Sequence, residues 1–392
     1  MTWTVVVSAG RVDELDLGVA RGWIVADSFI LGRCWGGIRI QRDMTLSETM
    51  LLARLITLKS ALACVPIGGA KIGIAADPST VDKTDLIARL SERLRRLGYA
   101  GRYIPGTDMG FSETDLRTLQ RQLRFDTRYT LHAGEGRLSK TGMAVAESLV
   151  TAINAVSELY QAGESETVAL QGIGNMGSAA AHLLNRHGYG IVAVSNKYYT
   201  LLDKRGIDVE YLLDLTKHGD QCLKIYADKM PGSNLLPPDH IFRIEADIYV
   251  PGARPLAIHD APRCKIIAPI ANYPISIPQA QLLEKRGIIV IPDIISTAGG
   301  AIGSAISLID RNFEEIKRYI RKITFLNMAK VLSASHRKEK SLIEQAYEEA
   351  GRRFDMLRRL GPAGLVAYLK EWASVGDAAL LIRLRRVLTH RL

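Results

Sequence analysis

Short apolar runs alternate along the chain with longer segments in which apolar residues recur every three or four positions, a mixture of periods that predicts strands interleaved with helices. Near the front, Gly22-Trp23-Ile24-Val25-Ala26 reads as a strand, and Trp35-Gly36-Gly37-Ile38-Arg39-Ile40 as a turn leading into another. Thr45-Leu46-Ser47-Glu48 has the residue order of a capping box. It precedes a helix expected from Thr49 to about Cys64 and ending near Pro66. A second amphipathic helix is expected from Asp82 to Arg96, and Asp108 follows the apolar Tyr103-Ile104.

A new unit is expected after Gly134-Glu135-Gly136-Arg137, opening with a helix from Thr141 to Gln161. The strand Thr167-Val168-Ala169-Leu170-Gln171 then runs into Gly172, Gly174 and Gly177, with Asn175 and Met176 between them. A helical run from Ser178 to Leu184 and a strand from Gly190 to Val194 follow. Strand, glycine turn, helix and strand in that order are the setting in which a dinucleotide pyrophosphate is held at a helix N-terminus. Later strands are expected at 246–250, 264–268 and 287–291, each closed by turn residues. Ligands bind at such strand ends in an open parallel sheet, so Asn272, Thr297, Gly299, Gly300 and Ser304 are expected near cofactor or substrate.

The position that closes the second strand of a dinucleotide unit commonly carries a carboxylate for the ribose hydroxyls of NAD. Here it is Asn196, followed by Lys197. An amide tolerates a 2'-phosphate and an ammonium attracts one, which leans the reading toward NADP, with NAD possible. Asp203, Lys204 and Arg205 lie farther along in an expected turn from which either basic residue could reach the cofactor edge.

With 392 residues and 47% apolar composition, the chain is long enough for two domains. The net charge of +10 raises nucleic acid as a partner, but residues 311–392 hold 18 Lys and Arg against 9 Asp and Glu, spread over helical patterns as solvated faces. Nucleic acid is therefore not the expected partner. Neither a secretory leader nor a membrane span is read, and Cys34, Cys64, Cys222 and Cys264 lack CxxC spacing or clustered histidines. A cytoplasmic protein with reduced thiols and no bound metal is the expectation.

Lys59 and Lys71 stand twelve residues apart, the second after Gly68-Gly69, and Asp108 lies in Pro105-Gly106-Thr107-Asp108-Met109-Gly110. Together with Gly36-Gly37-Ile38-Arg39, Thr141-Gly142, Gln171-Gly172-Ile173-Gly174-Asn175, Ala271-Asn272, Ile291-Pro292-Asp293 and Ala298-Gly299-Gly300, they make the chain resemble the glutamate/leucine/phenylalanine/valine dehydrogenase family from about Gly22 to Ser304. The resemblance implies two α/β domains in a homo-oligomer. A substrate and assembly domain would span 1–132, a Rossmann-type cofactor domain 140–305, and C-terminal helices over 306–392 would pack back on the first domain. It also implies oxidative deamination of an amino acid to a 2-oxo acid and ammonia. Lys59 would hold the substrate α-carboxylate beside Gly36 and Gly37, Lys71 and Asp108 would move protons, and Thr141 and Asn272 would join the glycines at the cofactor.

Departures from the family pattern bear on the substrate. Trp35 stands where glutamate-specific members carry a lysine, which favours a hydrophobic or aromatic side chain, whereas Ser304 matches a serine that contacts glutamate's distal carboxylate. Pro269-Ile270 replaces an acidic-glycine pair, and Thr297 a common asparagine. The primary expectation is an NAD(P)-dependent dehydrogenase favouring hydrophobic amino acids. The alternatives are glutamate dehydrogenase activity and a non-catalytic nucleotide-binding or regulatory relative.

Overall fold

The computed structural model describes residues 10–125, 138–160, 166–258, 260–307, 312–338 and 340–359. The chain folds as two compact units, one holding the described residues up to 125 with 304–307, 312 and 350–359, the other holding 138–303 and 313–349. The Gly134-Arg137 segment read as the opening of the second unit lies outside the described residues.

In the first unit, β1 (Arg11–Asp16), β2 (Arg21–Ala26), β3 (Cys34–Gln41), α1 (Leu46–Leu62), β4 (Gly68–Ala75), α2 (Lys83–Arg96), β5 (Tyr103–Thr107) and α3 (Glu113–Leu123) follow in order. The sheet runs β1-β2-β4-β3-β5, with β3 parallel to both β4 and β5 and β2 antiparallel to β4. Ile38, Ile40, Ala70, Ile72 and Ile74 alternate onto the face that joins Leu86, Leu90, Leu94, Leu116 and Leu119 in one core. The other face is reserved for α1. Thr45 caps that helix by accepting the Glu48 N–H at 3.2 Å, but the Glu48 side chain goes to Arg39 instead of completing the capping box. Strand β4, expected as a loop or strand start around Lys71, is eight residues long and buried throughout all but its last position.

The second unit contains α4 (Lys140–Tyr160), β6 (Thr167–Gln171), α5 (Asn175–Arg186), β7 (Gly190–Ser195), β8 (Thr200–Leu202), α6 (Val209–Leu215), α7 (Cys222–Lys229), β9 (Asn234–Leu236), β10 (Ile248–Pro251), β11 (Ile266–Ile267), α8 (Ile277–Glu284), β12 (Ile289–Val290), α9 (Asp293–Ser296) and α11 (Phe313–Lys338), with α10 (Gly299–Ser307) up to Gly303 and α12 (Leu342–Arg358) up to Glu349. Its sheet order is β12-β11-β10-β6-β7-β8-β9, parallel from β12 to β7 and antiparallel beyond. Strands β6 to β9 are added toward one edge of the sheet and β10 to β12 toward the other, so the switch point where doubly wound sheets open a crevice lies between β6 and β10.

One boundary differs from the expectation for 306–392. Helix α11 belongs to the second unit: its buried Ile316, Ile320 and Ile323 form a stripe toward α4 and α10, and Arg321 bonds Glu147 of α4 at 2.9 Å. Residues 350–359 join the first unit, where buried Arg353 donates to the Leu62 carbonyl at the end of α1 at 2.7 Å. The amphipathic pattern gives the width of such a stripe but not the surface that receives it. Among the described residues, no helix is long and apolar enough to cross a membrane and no group of three or more His, Cys, Asp or Glu could hold a metal.

Candidate active site

Strand alternation puts Gly69, Lys71 and Gly73 of β4 on the face toward α1. Gly69 donates its N–H to Thr57 Oγ1 of α1 at 3.1 Å, and a Cβ on Gly73 would press on the Met44 side chain. The two glycines let the helix settle against the strand, leaving Lys71 as the side chain between them. Its ammonium pairs with Asp108 Oδ2 just past the end of β5, across the intervening strand β3. From β3, Arg39 donates Nη2 and Nε to Asp108 Oδ1 at 3.0 and 3.2 Å, and Nη1 to Glu48 at 2.9 Å. The Met109 N–H also donates to Asp108 Oδ1, at 2.6 Å.

Four charged groups, from β3, β4, α1 and the turn after β5, therefore share one cluster, with Arg39 and Lys71 buried and Asp108 and Glu48 half-buried. Burial alone drives the Asp108 carboxyl upward, but Lys71 and Arg39 outweigh it and hold the group well below the usual carboxylate range. For Lys71 the balance goes the other way. Burial is the largest influence and lowers its pKa; Asp108 opposes this, Arg39 adds to it, and the net direction is down. A lysine that surrenders its proton more readily sits against a carboxylate that stays ionised, an arrangement suited to passing protons.

Gly37 explains why this part of β3 has no side chain. A Cβ there would come within 2.7 Å of the Thr107 carbonyl, 3.0 Å of Asp108 Cβ and 3.2 Å of Lys71 Nζ. Gly36 is equally constrained, since a Cβ would overlap the Ala70 carbonyl, and its own carbonyl accepts the Tyr103 hydroxyl at 2.6 Å. Lys59 is buried in the last turn of α1, the helix laid over the Lys71 face of β4. Trp35 is 7% exposed and donates its indole N–H to Ser60 of α1 at 2.8 Å. It is a packing residue between β3 and α1, tied down at its only polar atom. Ser304 is half-buried on α10. Arg39 and Glu48 had no role assigned from sequence; the signal available was Arg39 lying two residues beyond Gly37 on the same strand face.

In the second unit, Gly172 has φ +96°, and a Cβ on Gly177 would collide with its carbonyl oxygen, so both glycines are required by the turn from β6 into α5. Gly174 caps α5 with no side-chain hydrogen bond and open space around its Cα. A helix start without a side-chain cap, approachable by ligand, fits a dinucleotide pyrophosphate. Asn175 is held by Ser139, whose hydroxyl donates to its Oδ1 at 2.6 Å and accepts the Gly142 N–H at 2.9 Å. Met176 is half-buried in the first turn of α5, and Thr141 in the first turn of α4 lies next to Gly300. A Cβ on Gly299 would overlap the Ala144 carbonyl, and its N–H donates to Ser148 of α4 at 2.9 Å. Asn272 is half-buried beside Tyr273, whose N–H donates to buried Asp293 at 2.8 Å. Thr297 is buried with its hydroxyl on the Asp293 carbonyl at 2.6 Å, and Ser296 bonds the Pro269 carbonyl at 2.6 Å.

Asn196 and Lys197 are brought together with a residue that sequence did not single out. Asn196 Oδ1 accepts the N–H groups of Tyr198 and Tyr199, each at 2.9 Å, and its Nδ2 donates to the Asp220 carbonyl at 2.9 Å. Lys197 pairs with the Asp220 carboxylate at 2.8 Å. Asp203 binds Arg205 through both carboxylate oxygens, at 3.0 and 2.8 Å.

Two α/β units, one wound around a dinucleotide-binding turn, place the chain among the NAD(P)-dependent amino-acid dehydrogenases. The family model for the Glutamate/Leucine/Phenylalanine/Valine dehydrogenases matches residues 135–358, and that for the Glu/Leu/Phe/Val dehydrogenase dimerisation domain matches 4–125. The chain belongs to this family. It is 29% identical over 371 residues to an NADP(+)-dependent glutamate dehydrogenase of Pyrobaculum calidifontis, covering 84% of this chain and 83% of that one. With a glutamate dehydrogenase of Thermotoga maritima it shares 31% identity over 315 residues, 74% of this chain and 72% of the other. Among solved structures, the leucine-bound hetero-hexameric glutamate dehydrogenase of Thermus thermophilus superposes with a TM-score of 0.77 at 23% identity, over 90% of this chain and 91% of that one. The L-tryptophan dehydrogenase of Nostoc punctiforme shares the fold at a TM-score of 0.63 and 20% identity, over 90% and 98% of the two chains.

Proposed function

We propose that this protein catalyses the reversible oxidative deamination of L-glutamate to 2-oxoglutarate and ammonia, with NADP as the favoured cofactor and NAD as a possible one. The buried Lys71–Asp108 pair, held by Arg39, carries the reaction type. Glutamate as substrate and NADP as cofactor are supported by relatives named glutamate dehydrogenases, several of them NADP-dependent. The preference for a hydrophobic substrate rested on Trp35 as a pocket wall. With its ring buried and its N–H donated to Ser60, Trp35 gives that preference no support.

When bound, the nicotinamide would supply the hydride acceptor for oxidation of the substrate amine to an imine. Lys59 holds the α-carboxylate, and Ser304 serves the distal one. As water adds to the imine carbon, Lys71 takes its proton, a role favoured by a lowered pKa. Asp108, a carboxylate at rest, takes that proton from Lys71 in passing and hands it to the nitrogen that departs as ammonia, returning to its ionised form. Gly37, facing Lys71 and Asp108, leaves room at the cluster for the substrate, and Gly36 beside it lets β3 close on β4. Gly172, Gly174, Asn175, Met176 and Gly177, at the uncapped start of α5, would hold the dinucleotide together with Thr141 and Asn272.

A homo-oligomer is supported by the match of residues 4–125 to a dimerisation domain. A cytoplasmic location is the reading supported by Cys34, Cys64, Cys222 and Cys264 forming no disulfide. NADPH oxidation, followed with ammonia and 2-oxoglutarate, 4-methyl-2-oxopentanoate or phenylpyruvate, tests the reading. The highest kcat/KM is expected with 2-oxoglutarate. A clear preference for either hydrophobic acid overturns the substrate, and nucleotide binding without turnover on any acid overturns the enzyme.

A further inference from the structure

The end of β7 lacks the carboxylate that would receive a ribose 2'-hydroxyl, yet a carboxylate is delivered there from 24 residues downstream. Residues Thr216–Gln221 form a 3-10 turn between α6 and α7, in which Gly219 at φ +59° bends the chain before Asp220. Asp220 is anchored twice to the strand end, its backbone carbonyl by Asn196 Nδ2 at 2.9 Å and its carboxylate by Lys197 Nζ at 2.8 Å. The Ser195 carbonyl closing β7 accepts the Gly172 N–H at 2.8 Å, so this corner adjoins the glycine turn directly. Neither partner is sequestered: the Lys197 and Asp220 side chains are 64% and 48% exposed and open to a ligand.

We propose that Asp220 is a cofactor-specificity residue, which tempers the attraction of Lys197 for a 2'-phosphate and supplies the acceptor that Asn196 cannot, so that the site takes NADH as well as NADPH. The inference rests on the dinucleotide reading of the second unit. Asn196 is committed at both ends of its amide, which leaves the Lys197–Asp220 pair as the adjustable charge at this corner. A 2'-phosphate facing the pair gains the ammonium and is repelled by the carboxylate, whereas a 2'-hydroxyl can donate to that carboxylate without repulsion.

Fluorescence titration of the full-length protein with NADPH and NADH, for wild type, D220N and K197Q, separates the possibilities without recourse to turnover. D220N is expected to tighten NADPH binding about three- to fivefold, the scale of an exposed charge pair, and to weaken NADH. K197Q is expected to weaken NADPH more than NADH. An unchanged NADPH to NADH ratio in D220N, or weaker NADPH binding, overturns the inference while leaving the dinucleotide site intact. A wild-type protein that binds neither nucleotide overturns the inference together with the reading on which it rests.

Discussion

Arg39 and Lys71, on the neighbouring parallel strands β3 and β4, grip opposite oxygens of the same carboxylate: Arg39 takes Asp108 Oδ1 and Lys71 takes Oδ2. In the proposed mechanism one cation fixes the carboxylate and the other exchanges protons with it. The division matters because arginine holds its charge at any working pH, while burial lowers the pKa of the lysine beside it.

Removing the proton path should abolish chemistry and spare the cofactor. D108N and K71A are each expected to lower kcat by about 10²- to 10⁴-fold with NADPH affinity unchanged, because the two functions lie in separate units. Steady-state rates paired with nucleotide titration check this; near-native turnover in D108N would sink the assignment.

Arg39 should act through the pH profile as well as through position. Its positive charge helps to lower the Lys71 pKa, so R39Q is expected to raise it and to move the acid limb of the kcat/KM profile to higher pH. Loss of the grip on Asp108 should also cost roughly tenfold to a hundredfold in kcat. A profile that keeps its acid limb in place would mean that Arg39 only positions the carboxylate.

Trp35 is expected to matter for stability and not for substrate choice. W35F leaves Ser60 of α1 without its indole partner in a buried setting, a loss of about 1–3 kcal/mol. A lower Tm in thermal denaturation is expected, with the ratio of kcat/KM for 2-oxoglutarate to that for 4-methyl-2-oxopentanoate unchanged. A shift of that ratio by tenfold or more would return Trp35 to the substrate pocket.

Glu284 gives the second unit a pH-dependent element of stability. Burial pushes its carboxyl up to about 7, although it accepts the Leu342 N–H at the start of α12 at 3.2 Å. Because the folded value exceeds the unfolded one, the folded state holds the proton more tightly. The contribution is fully present below the unfolded pKa and is lost as pH rises through about 7. Urea unfolding at pH 5 and pH 8 should show a larger loss of stability for wild type than for E284Q. Equal losses in the two proteins would remove Glu284 from the account.

Periodicity and local signals were enough for β2, β3, α1, α2 and the β6–α5–β7 unit, because each is decided by neighbours within a few residues: a cap at Thr45, an apolar stripe, a glycine forced by the turn at Gly172. Motif order also pointed to Lys71, Asp108 and the glycine turn. The sequence by itself could not place Lys71 inside β4, because Gly68-Gly69 reads locally as a loop and becomes strand only when α1 and β3 press on either side. Nor could it attach Trp35 to Ser60, Arg39 to Asp108 or Lys197 to Asp220, pairs separated by 25, 69 and 23 residues. Local propensity determined which segments are helix and strand. Tertiary packing decided which charges meet, because desolvation and ion pairing depend on the neighbours that strand order brings together from distant parts of the chain.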